Sequence, residues 1–286
     1  MIPQPPRLVC RSRTLDLSEP LVMGVLNVTP DSFSADGLYA DPASAVDHAL
    51  AMIEAGAAIV DVGGESTRPG AVPTASDEQR RRVVPVIERL ARNTRVAISV
   101  DTSDPAVMSA AVAAGAELIN DVRALRREGA LTAAARSGAA ICLMHMQGEP
   151  ASMQQDPRYV DVVAEVGEFL RNRIARCVAA GIDPERLCID PGIGFGKTHE
   201  HNLRLLAELE SLCGLGPPLL VGVSRKSVVG IITGRPLRER VAGSSALAAL
   251  AVERGARIIR AHDVAATVDA VRIATALRRA AGSRER

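Results

Sequence analysis

The chain has 286 residues, of which 47% are hydrophobic and 23% charged, and its formal net charge is +1. This composition is typical of a soluble globular protein with a sizeable core, and the charge balance, the 2% aromatic content and the absence of Trp argue against nucleic acid as a partner. The five cysteines are widely spaced without a CxxC pair, and neither a signal peptide nor a membrane-length apolar run is present, so we expect reduced thiols in a cytoplasmic protein that binds no membrane.

Eight short apolar runs, separated by segments with helical periodicity, predict buried parallel strands. The predicted strands cover residues 21–28, 57–63, 95–101, 117–121, 139–145, 186–190, 218–224 and 257–262. Glycines expected to end helices in the left-handed conformation precede five of them: Gly56, Gly115, Gly138, Gly181 and Gly255. Eight alternating βα units favour an α/β protein folded as a (β/α)8 TIM barrel, with a doubly wound sheet as the alternative.

The predicted organisation is a single domain over residues 1–286, with the barrel at about 21–278. Residues 1–20 form an N-terminal extension, for which we expect a short hairpin across the barrel bottom, and residues 279–286 form a frayed tail. Ser76 and Gln79 have the spacing of a capping box at the start of the second helix.

Polar side chains stand at the carboxyl end of every predicted strand. They are Asn27, Asp61 with Glu65, Asp101, Asn120 with Asp121, His145, Asp190, Ser224 with Lys226, and Arg260 with His262. A TIM barrel brings these ends to one face. Carboxylates and amides suit the N–H and C=O edge of a heterocycle, and cations at the last two strands suit phosphate. The ring therefore predicts a substrate with a polar heterocycle at one end and a phosphate at the other.

Two long loops, at 28–37 and 63–76, are rich in Gly, Pro and Ser and are expected to act as lids, or else to be surface turns. The segment DPGIGFGKT at 190–198 resembles a phosphate-binding loop only at its end, because Pro191 stands where that loop requires glycine. We expect its glycines to let the backbone approach a ligand, with Phe195 as an apolar wall. Met144 packs beneath a flat ring or fills the core.

Eight motifs in this order resemble bacterial dihydropteroate synthases over residues 20–278. They are LNVTPDSFS, DVGGESTRPG, ISVDT, INDV, LMHMQG, DPGIGFGK, GVSRKS and RAHDV. The resemblance implies a TIM-barrel transferase of folate biosynthesis that joins 6-hydroxymethyl-7,8-dihydropterin pyrophosphate to 4-aminobenzoate. It also implies Mg²⁺ as cofactor, competition by sulfonamides at the aminobenzoate site, and a homodimer.

The resemblance assigns site residues motif by motif. The pterin residues are Asp101, Asn120, Asp190, Lys226 and Met144. The pyrophosphate residues are Asn27, Arg68, Arg260 and His262, with Mg²⁺ near Asn27. The aminobenzoate residues are Phe33, Thr67, Pro69, Phe195 and Ser227. The catalytic residues are Asp101, Lys226, Arg68 and Asn27.

An arylamine is an adequate nucleophile, so departure of pyrophosphate is the difficult step, and a dissociative substitution is expected. The first loop departs from the family pattern, with Ala35-Asp36-Gly37 where Asp-Gly-Gly is common. A non-catalytic pterin-binding paralogue and a methyltetrahydrofolate methyltransferase are the alternatives. For His145 we expect structural packing.

Overall fold

The eight strands predicted from the sequence are present in the computed structural model, which describes residues 6–29, 42–66 and 73–282. A two-stranded hairpin, β1 and β2, precedes them. The ten strands are β1 Arg7–Val9, β2 Thr14–Asp16, β3 Leu21–Asn27, β4 Ile59–Gly63, β5 Ala97–Asp101, β6 Leu118–Asp121, β7 Ala140–Met144, β8 Leu187–Asp190, β9 Leu220–Gly222 and β10 Ile258–Ala261.

Parallel pairing closes β3 to β10 into a barrel. Neighbouring strands follow the order β8-β7-β6-β5-β4-β3-β10-β9, so the last strand of the chain lies beside the first barrel strand. The seam between β8 and β9 is closed by a parallel bridge between Ile189 and Leu219, where the Ile189 amide donates to the Pro218 carbonyl at 3.0 Å. The predicted TIM barrel is therefore confirmed, and the doubly wound alternative is excluded.

Helices cover the outside of the barrel, where their apolar faces bury the strands in one continuous core. They are α1 Pro42–Glu54, α2 Ser76–Asn93, α3 Pro105–Ala114, α4 Ala130–Ser137, α5 Val162–Ala179, α6 His199–Ala207, α7 Leu209–Cys213, α8 Ser227–Thr233, α9 Val241–Glu253 and α10 Val264–Gly282. All five predicted cap glycines have positive φ, between 72° at Gly138 and 118° at Gly115. Within the described ranges no helix is long and apolar enough to cross a membrane.

The predicted capping box of α2 is wrong. The cap position is Ala75, and it makes no side-chain cap bond. The Ser76 hydroxyl donates instead to Asp104, and Gln79 Nε2 donates to the Thr74 carbonyl at 2.8 Å. Partners from the next βα unit and the preceding loop therefore outcompete the local motif.

The predicted hairpin lies across the amino-terminal end of the barrel. Its Leu8 and Leu17 are fully buried against residues low in the barrel: Met23, Ile59, Ala97, Leu118, Ala140, Cys142, Cys188, Leu220 and Ile258. Arg13 pairs with Glu117 at 2.8 Å at the base of β6. The hairpin thus plugs the bottom, leaving the carboxyl ends of the strands as the open face. Residues 1–5 lie outside the described part of the chain, as do 283–286 of the predicted tail, whose first four residues are helical.

Candidate active site

The carboxyl ends of the strands surround a cavity of about 340 Å³. Seven of the residues predicted for the site line it: Asn27, Asp101, Phe195, Lys226, Ser227, Arg260 and His262. Asn120 and Asp190 are buried at the ends of β6 and β8. Met144 lies in an apolar cluster with Met146 and Met153 that packs against Phe195. The barrel therefore brings together residues from most of its strands, as their positions in the sequence predict.

Arg260 connects two buried carboxylates at the floor of the cavity. Its Nε donates to Asp61 Oδ2 at 2.7 Å, and a terminal nitrogen donates to Asp101 Oδ2 at 2.9 Å. Asn120 Nδ2 donates to the same Asp61 oxygen at 3.0 Å. The acidic and cationic groups expected on separate sides of the ring are thus bonded to each other. The sequence places Asp61 in the ring but gives no role to it, although a charge inside the buried run IVDVG is the signal for one.

This arrangement shifts the pKa of both Asp101 and Arg260. The pKa of Asp101 is raised to about 7, mainly by burial and in part by nearby Asp61, while Arg260 opposes the rise. Burial lowers the pKa of Arg260, but Asp61 and Asp101 outweigh it and hold that pKa above the usual value. At neutral pH the floor therefore carries a permanent cation beside a carboxyl group that is close to its midpoint.

The Lys226 side chain contacts the loop that follows β8. Its Nζ donates to the Ile193 carbonyl and lies 4.8 Å from the centre of the Phe195 ring. Burial lowers the pKa of Lys226 to about 8, with Asp190 opposing the change. Asp190 is itself fixed, since its Oδ1 accepts from the Gly192 amide at 2.7 Å. The end of β8 and its following loop thus bring a carboxylate and an aromatic ring close to the ammonium of Lys226.

His262 is oriented by Ser224, the residue before the Arg225-Lys226 pair. The Ser224 hydroxyl accepts from the His262 backbone amide at 3.1 Å and lies 3.2 Å from the ring Nδ1. The neighbouring Arg225 also lines the cavity, and it pairs with Asp263 through two side-chain contacts. Ser224 therefore fixes one of the predicted pyrophosphate residues, a role that its position in the ring did not specify.

The side-chain oxygen of Asn27 lies at the end of β3, close to the backbone of Gly63 and to Asp101. Gly63 lies beside Asn27 and Asp101, and a Cβ at this position would stand 3.4 Å from Asn27 Oδ1 and 3.9 Å from Asp101 Oδ2. No cluster of three His, Cys, Asp or Glu ligands occurs in the described part of the chain. Mg²⁺ commonly binds one or two protein oxygens and completes its shell with substrate phosphates and water. The donor set at Asn27 fits that mode.

Several predicted residues lie outside the described part of the chain. They are Phe33, Thr67, Arg68 and Pro69, together with Ala35-Asp36-Gly37. The ends of the second loop are described, and there Glu65 Oε1 accepts from the Thr74 amide at 3.0 Å. His145 is buried beneath the cavity and contacts the Phe169 ring at 4.8 Å between centroids.

The fold and cavity define a (β/α)8-barrel enzyme whose substrate lies at the carboxyl ends of the strands. The model of the family described as pterin binding enzyme matches residues 23–262. The dihydropteroate synthase of Escherichia coli (strain K12) is 52% identical over 270 residues, covering 94% of this chain and 96% of that protein.

Solved structures agree in fold as well as in sequence. The Yersinia pestis dihydropteroate synthase, in a sulfonamide drug complex, has a TM-score of 0.92 and 52% identity, covering 95% of this chain and 99% of its own. The Xanthomonas albilineans enzyme with 4-aminobenzoic acid has a TM-score of 0.91 and 53% identity, covering 96% and 99%; it was also solved with 7,8-dihydropteroate. The chain belongs to the dihydropteroate synthase family of pterin-binding transferases in folate biosynthesis.

Proposed function

We propose that this chain joins 6-hydroxymethyl-7,8-dihydropterin pyrophosphate to 4-aminobenzoate, with 7,8-dihydropteroate and pyrophosphate as products. The observation that carries the proposal is the floor of the cavity, where Arg260 and Lys226 lie beside the buried carboxylates Asp101 and Asp190. The ligands of the Xanthomonas albilineans relative, 4-aminobenzoic acid and 7,8-dihydropteroate, correspond to the second substrate and the product.

The pterin binds on the buried polar floor. Asp101 and Asp190 accept from its N–H groups, and the Asn120 amide is held in one orientation by its bond to Asp61. Because the neighbouring backbone and side chains already fix these groups, little reorganisation is needed when the ring enters. The flat pterin is thereby oriented with its methylene group toward the cationic side.

The pyrophosphate binds at Asn27, Arg260 and His262, and the family resemblance adds Arg68, which lies outside the described residues. Asn27 would hold Mg²⁺ through its side-chain oxygen, with oxygens of the pyrophosphate and water as the other ligands. The chemistry that Mg²⁺ supplies when bound is neutralisation of negative charge on the leaving group. His262 reaches the pyrophosphate in the orientation that Ser224 imposes.

The reaction is a dissociative substitution at the pterin methylene carbon. The carbon–oxygen bond to pyrophosphate breaks first, and its electron pair leaves with the pyrophosphate. The ionised Asp101 and Asp190 stabilise the positive charge left on the pterin. The aminobenzoate nitrogen then forms the carbon–nitrogen bond and loses one proton to solvent. Phe195 and Ser227, with Phe33, Thr67 and Pro69 from the loops, hold the arylamine and exclude water until it attacks.

The activity is tested by measuring dihydropteroate formation from the two substrates with Mg²⁺. We expect Lys226→Met to lower kcat/KM for the pterin substrate about 100-fold, as loss of a buried charge contact of roughly 3 kcal/mol would do. Asp77→Asn, at an exposed helix position, is the matched control. Pterin binding without product formation would indicate the non-catalytic paralogue instead.

The order of bond changes has a separate test. With the amine omitted, the wild type should release pyrophosphate in a single turnover, and Asp101→Asn should abolish that release. Pyrophosphate release that appears only with 4-aminobenzoate, or that does not depend on Asp101 and Lys226, would contradict the dissociative mechanism.

We also propose a homodimer formed by the last helices of the barrel. Large apolar side chains are exposed on α8, α9 and α10: Ile231, Ile232, Leu250, Ile273 and Leu277. Exposed apolar residues grouped on adjacent helices are typical of an interface. Replacing both Ile273 and Leu277 by Asp should convert the dimer to a monomer in sedimentation equilibrium. Val178→Asp on α5 is the control, and a wild type that sediments as a monomer would refute the proposal.

We propose the cytoplasm as its compartment. All five cysteines are free thiols, and four of them are buried, as expected of a protein that stays in a reducing environment. Cell fractionation with an antibody to the chain tests this, and recovery outside the cytoplasmic fraction would contradict it.

A further inference from the structure

Lys197 and His145 form a buried pair that the proposed chemistry does not use. Lys197 is 2% exposed and His145 6%, and Lys197 Nζ lies 2.9 Å from His145 Nδ1. Burial, together with the nearby Lys197 charge, lowers the pKa of His145 to about 2. The imidazole is therefore neutral, and its Nδ1 accepts a hydrogen bond from the lysine.

The ammonium of Lys197 is fully hydrogen-bonded. Besides His145 Nδ1, its Nζ donates to the carbonyls of Gly192 at 2.9 Å and Phe195 at 3.0 Å. An ammonium has three donors, so three acceptors satisfy it completely. Burial lowers the pKa of Lys197 well below its usual value, and the three acceptors together with nearby Asp190 favour its charged form. Because the two carbonyls lie at either end of the turn at 192–195, one side chain fixes the shape of that turn.

The same turn holds Lys226 and borders the cavity. Its Ile193 carbonyl accepts from Lys226 Nζ, the Phe195 ring lies beneath that ammonium, and Gly194 and Phe195 line the cavity. A displacement of the turn would therefore move both the pterin lysine and the apolar wall proposed for aminobenzoate.

A second segment, residues 145–160, packs against the turn without spare room. Tyr159 donates to the Gly196 carbonyl at 2.8 Å, and Gln154 Oε1 accepts from the Lys197 amide at 3.1 Å. A Cβ at Gly192 would stand 1.8 Å from the His145 carbonyl oxygen. The turn is thus packed against residues 145–160 on one side, and Lys197 fixes it through the carbonyls of Gly192 and Phe195.

The amino-acid usage of the chain supports a specific need for lysine here. Among 34 basic residues only Lys197 and Lys226 are lysine, and every other one is arginine. A compact ammonium can donate to three converging acceptors, whereas a planar guanidinium cannot take its place in a closed space. The two lysines of the chain contact the same turn.

We infer that Lys197, held by His145, is a positioning residue that sets the turn at 192–195 and thereby the placement of Lys226 and Phe195. The inference rests on the proposed function for its kinetic consequence, but its structural consequence is measurable without substrates.

The first test follows Lys226 in the free protein. With only two lysines in the chain, a small acylating reagent followed by peptide mass analysis reports the modification of Lys226 directly. Lys197→Met should raise the rate of Lys226 modification severalfold, because Lys226 loses the ordered Ile193 carbonyl and Phe195 ring. An unchanged rate overturns the inference, whether or not the chain makes dihydropteroate.

The second test separates positioning from general loss of folded protein. In Lys197→Met and Lys197→Arg, KM for 4-aminobenzoate should rise at least about 10-fold, even when rates are corrected for the folded fraction. A purely structural role would lower kcat and leave KM unchanged, and that outcome refutes the inference.

His145 supplies the matched pair of variants. Asn at this position can place its side-chain oxygen where Nδ1 accepts, whereas Leu cannot. We expect His145→Asn to keep the wild-type KM and labelling rate, and His145→Leu to behave like Lys197→Met. The double variant with Lys197→Met and His145→Leu should be no worse than either single one, since both remove one interaction. Equal effects of Asn and Leu at position 145 would contradict the pairing.

Discussion

The charge on Asp61 is expected to set the pH at which Asp101 ionises, and Asp61→Asn tests this with little change in shape. Asp61 Oδ2 accepts from both Arg260 and Asn120, while its buried Oδ1 has no hydrogen-bond partner among the described residues. An asparagine can place its amide oxygen at the Oδ2 position and keep both bonds. The substitution therefore removes a negative charge and leaves the network in place.

The expected shift follows from the surroundings of Asp101. Its pKa of about 7, against an ordinary 3.8, arises from burial, opposed by Arg260 and reinforced by Asp61. That difference corresponds to about 4 kcal/mol between the protonated and ionised forms. Neighbouring charges move the pKa of a carboxyl group by roughly 1 to 3 units. Because Asp61 and Asp101 interact across Arg260, we expect the lower end, about 1 unit downward. In the variant Arg260 keeps its bond to position 61 but no longer shares its charge with a carboxylate there, which acts in the same direction.

The assay is the pH dependence of kcat/KM for the pterin substrate, which reports ionisations of the free enzyme. Since ionised Asp101 stabilises the pterin cation, kcat/KM should rise with pH, with a midpoint at about 7 in the wild type and about 6 in Asp61→Asn. Substrate ionisations are common to all variants and cancel in the comparison. In Asp101→Asn this rise of kcat/KM with pH should be absent, and in Asp77→Asn the pH profile should match that of the wild type.

A midpoint that stays unchanged in Asp61→Asn, or moves to higher pH, would refute this reasoning. Either result would mean that Asp61 does not influence the ionisation of Asp101, or that another group produces the acid limb.

Three further outcomes are expected. Folding raises the pKa of Asp101, so its stability contribution is complete below pH 3.8 and is lost as the pH rises through about 7. Urea unfolding should therefore show Asp101→Asn gaining about 2–3 kcal/mol relative to the wild type between pH 5 and pH 8; a constant difference would contradict the shift. Leu17→Ala should lower the free energy of unfolding by about 2–5 kcal/mol with kcat nearly unchanged, because it opens a cavity at the barrel end opposite the site. Ser224→Ala should raise KM for the pterin substrate about 10-fold through loss of the contacts that orient His262, whereas exposed Ser109→Ala should leave KM unchanged, and equal KM values would argue against that role.

The barrel could be predicted because its signals are local. A glycine in the left-handed conformation and an apolar run of fixed length recur with each unit, and Gly56, Gly115 and Gly255 all adopt the expected φ. The predicted ends of the strands differ from the observed ends by up to about two residues. For example, the strand predicted at 57–63 is observed at Ile59–Gly63. Once the barrel was predicted, its geometry alone brought Asn27, Asp101, Lys226 and Arg260 to one face.

Partners could not be predicted, since they depend on strand register and side-chain direction across the barrel. The sequence predicts Arg260 on the open face of the barrel, but not its bonds to Asp61 and Asp101, which depend on the pairing of β10 with β3. The Ser76–Gln79 capping box failed for the same reason, because Asp104 from the following unit takes the serine hydroxyl. Lys197 lies in a motif whose end resembles a phosphate-binding loop, and that resemblance indicates no structural role for it. The rarity of lysine in the chain is the signal that distinguishes it.

The pairing of β10 with β3 also governs when the site comes into existence during synthesis. Asp61 and Asp101 are made early, but the arginine that bridges them lies on the last strand and arrives only when the ring of strands closes. Until then, two neighbouring carboxyl groups near the centre of the sheet have no cation from β10 between them, which disfavours compact partial folds. A nascent chain that stops before residue 260 therefore lacks both the final strand and the bridging charge. The last barrel strand therefore completes both the ring of strands and the charge pairing at the floor of the cavity.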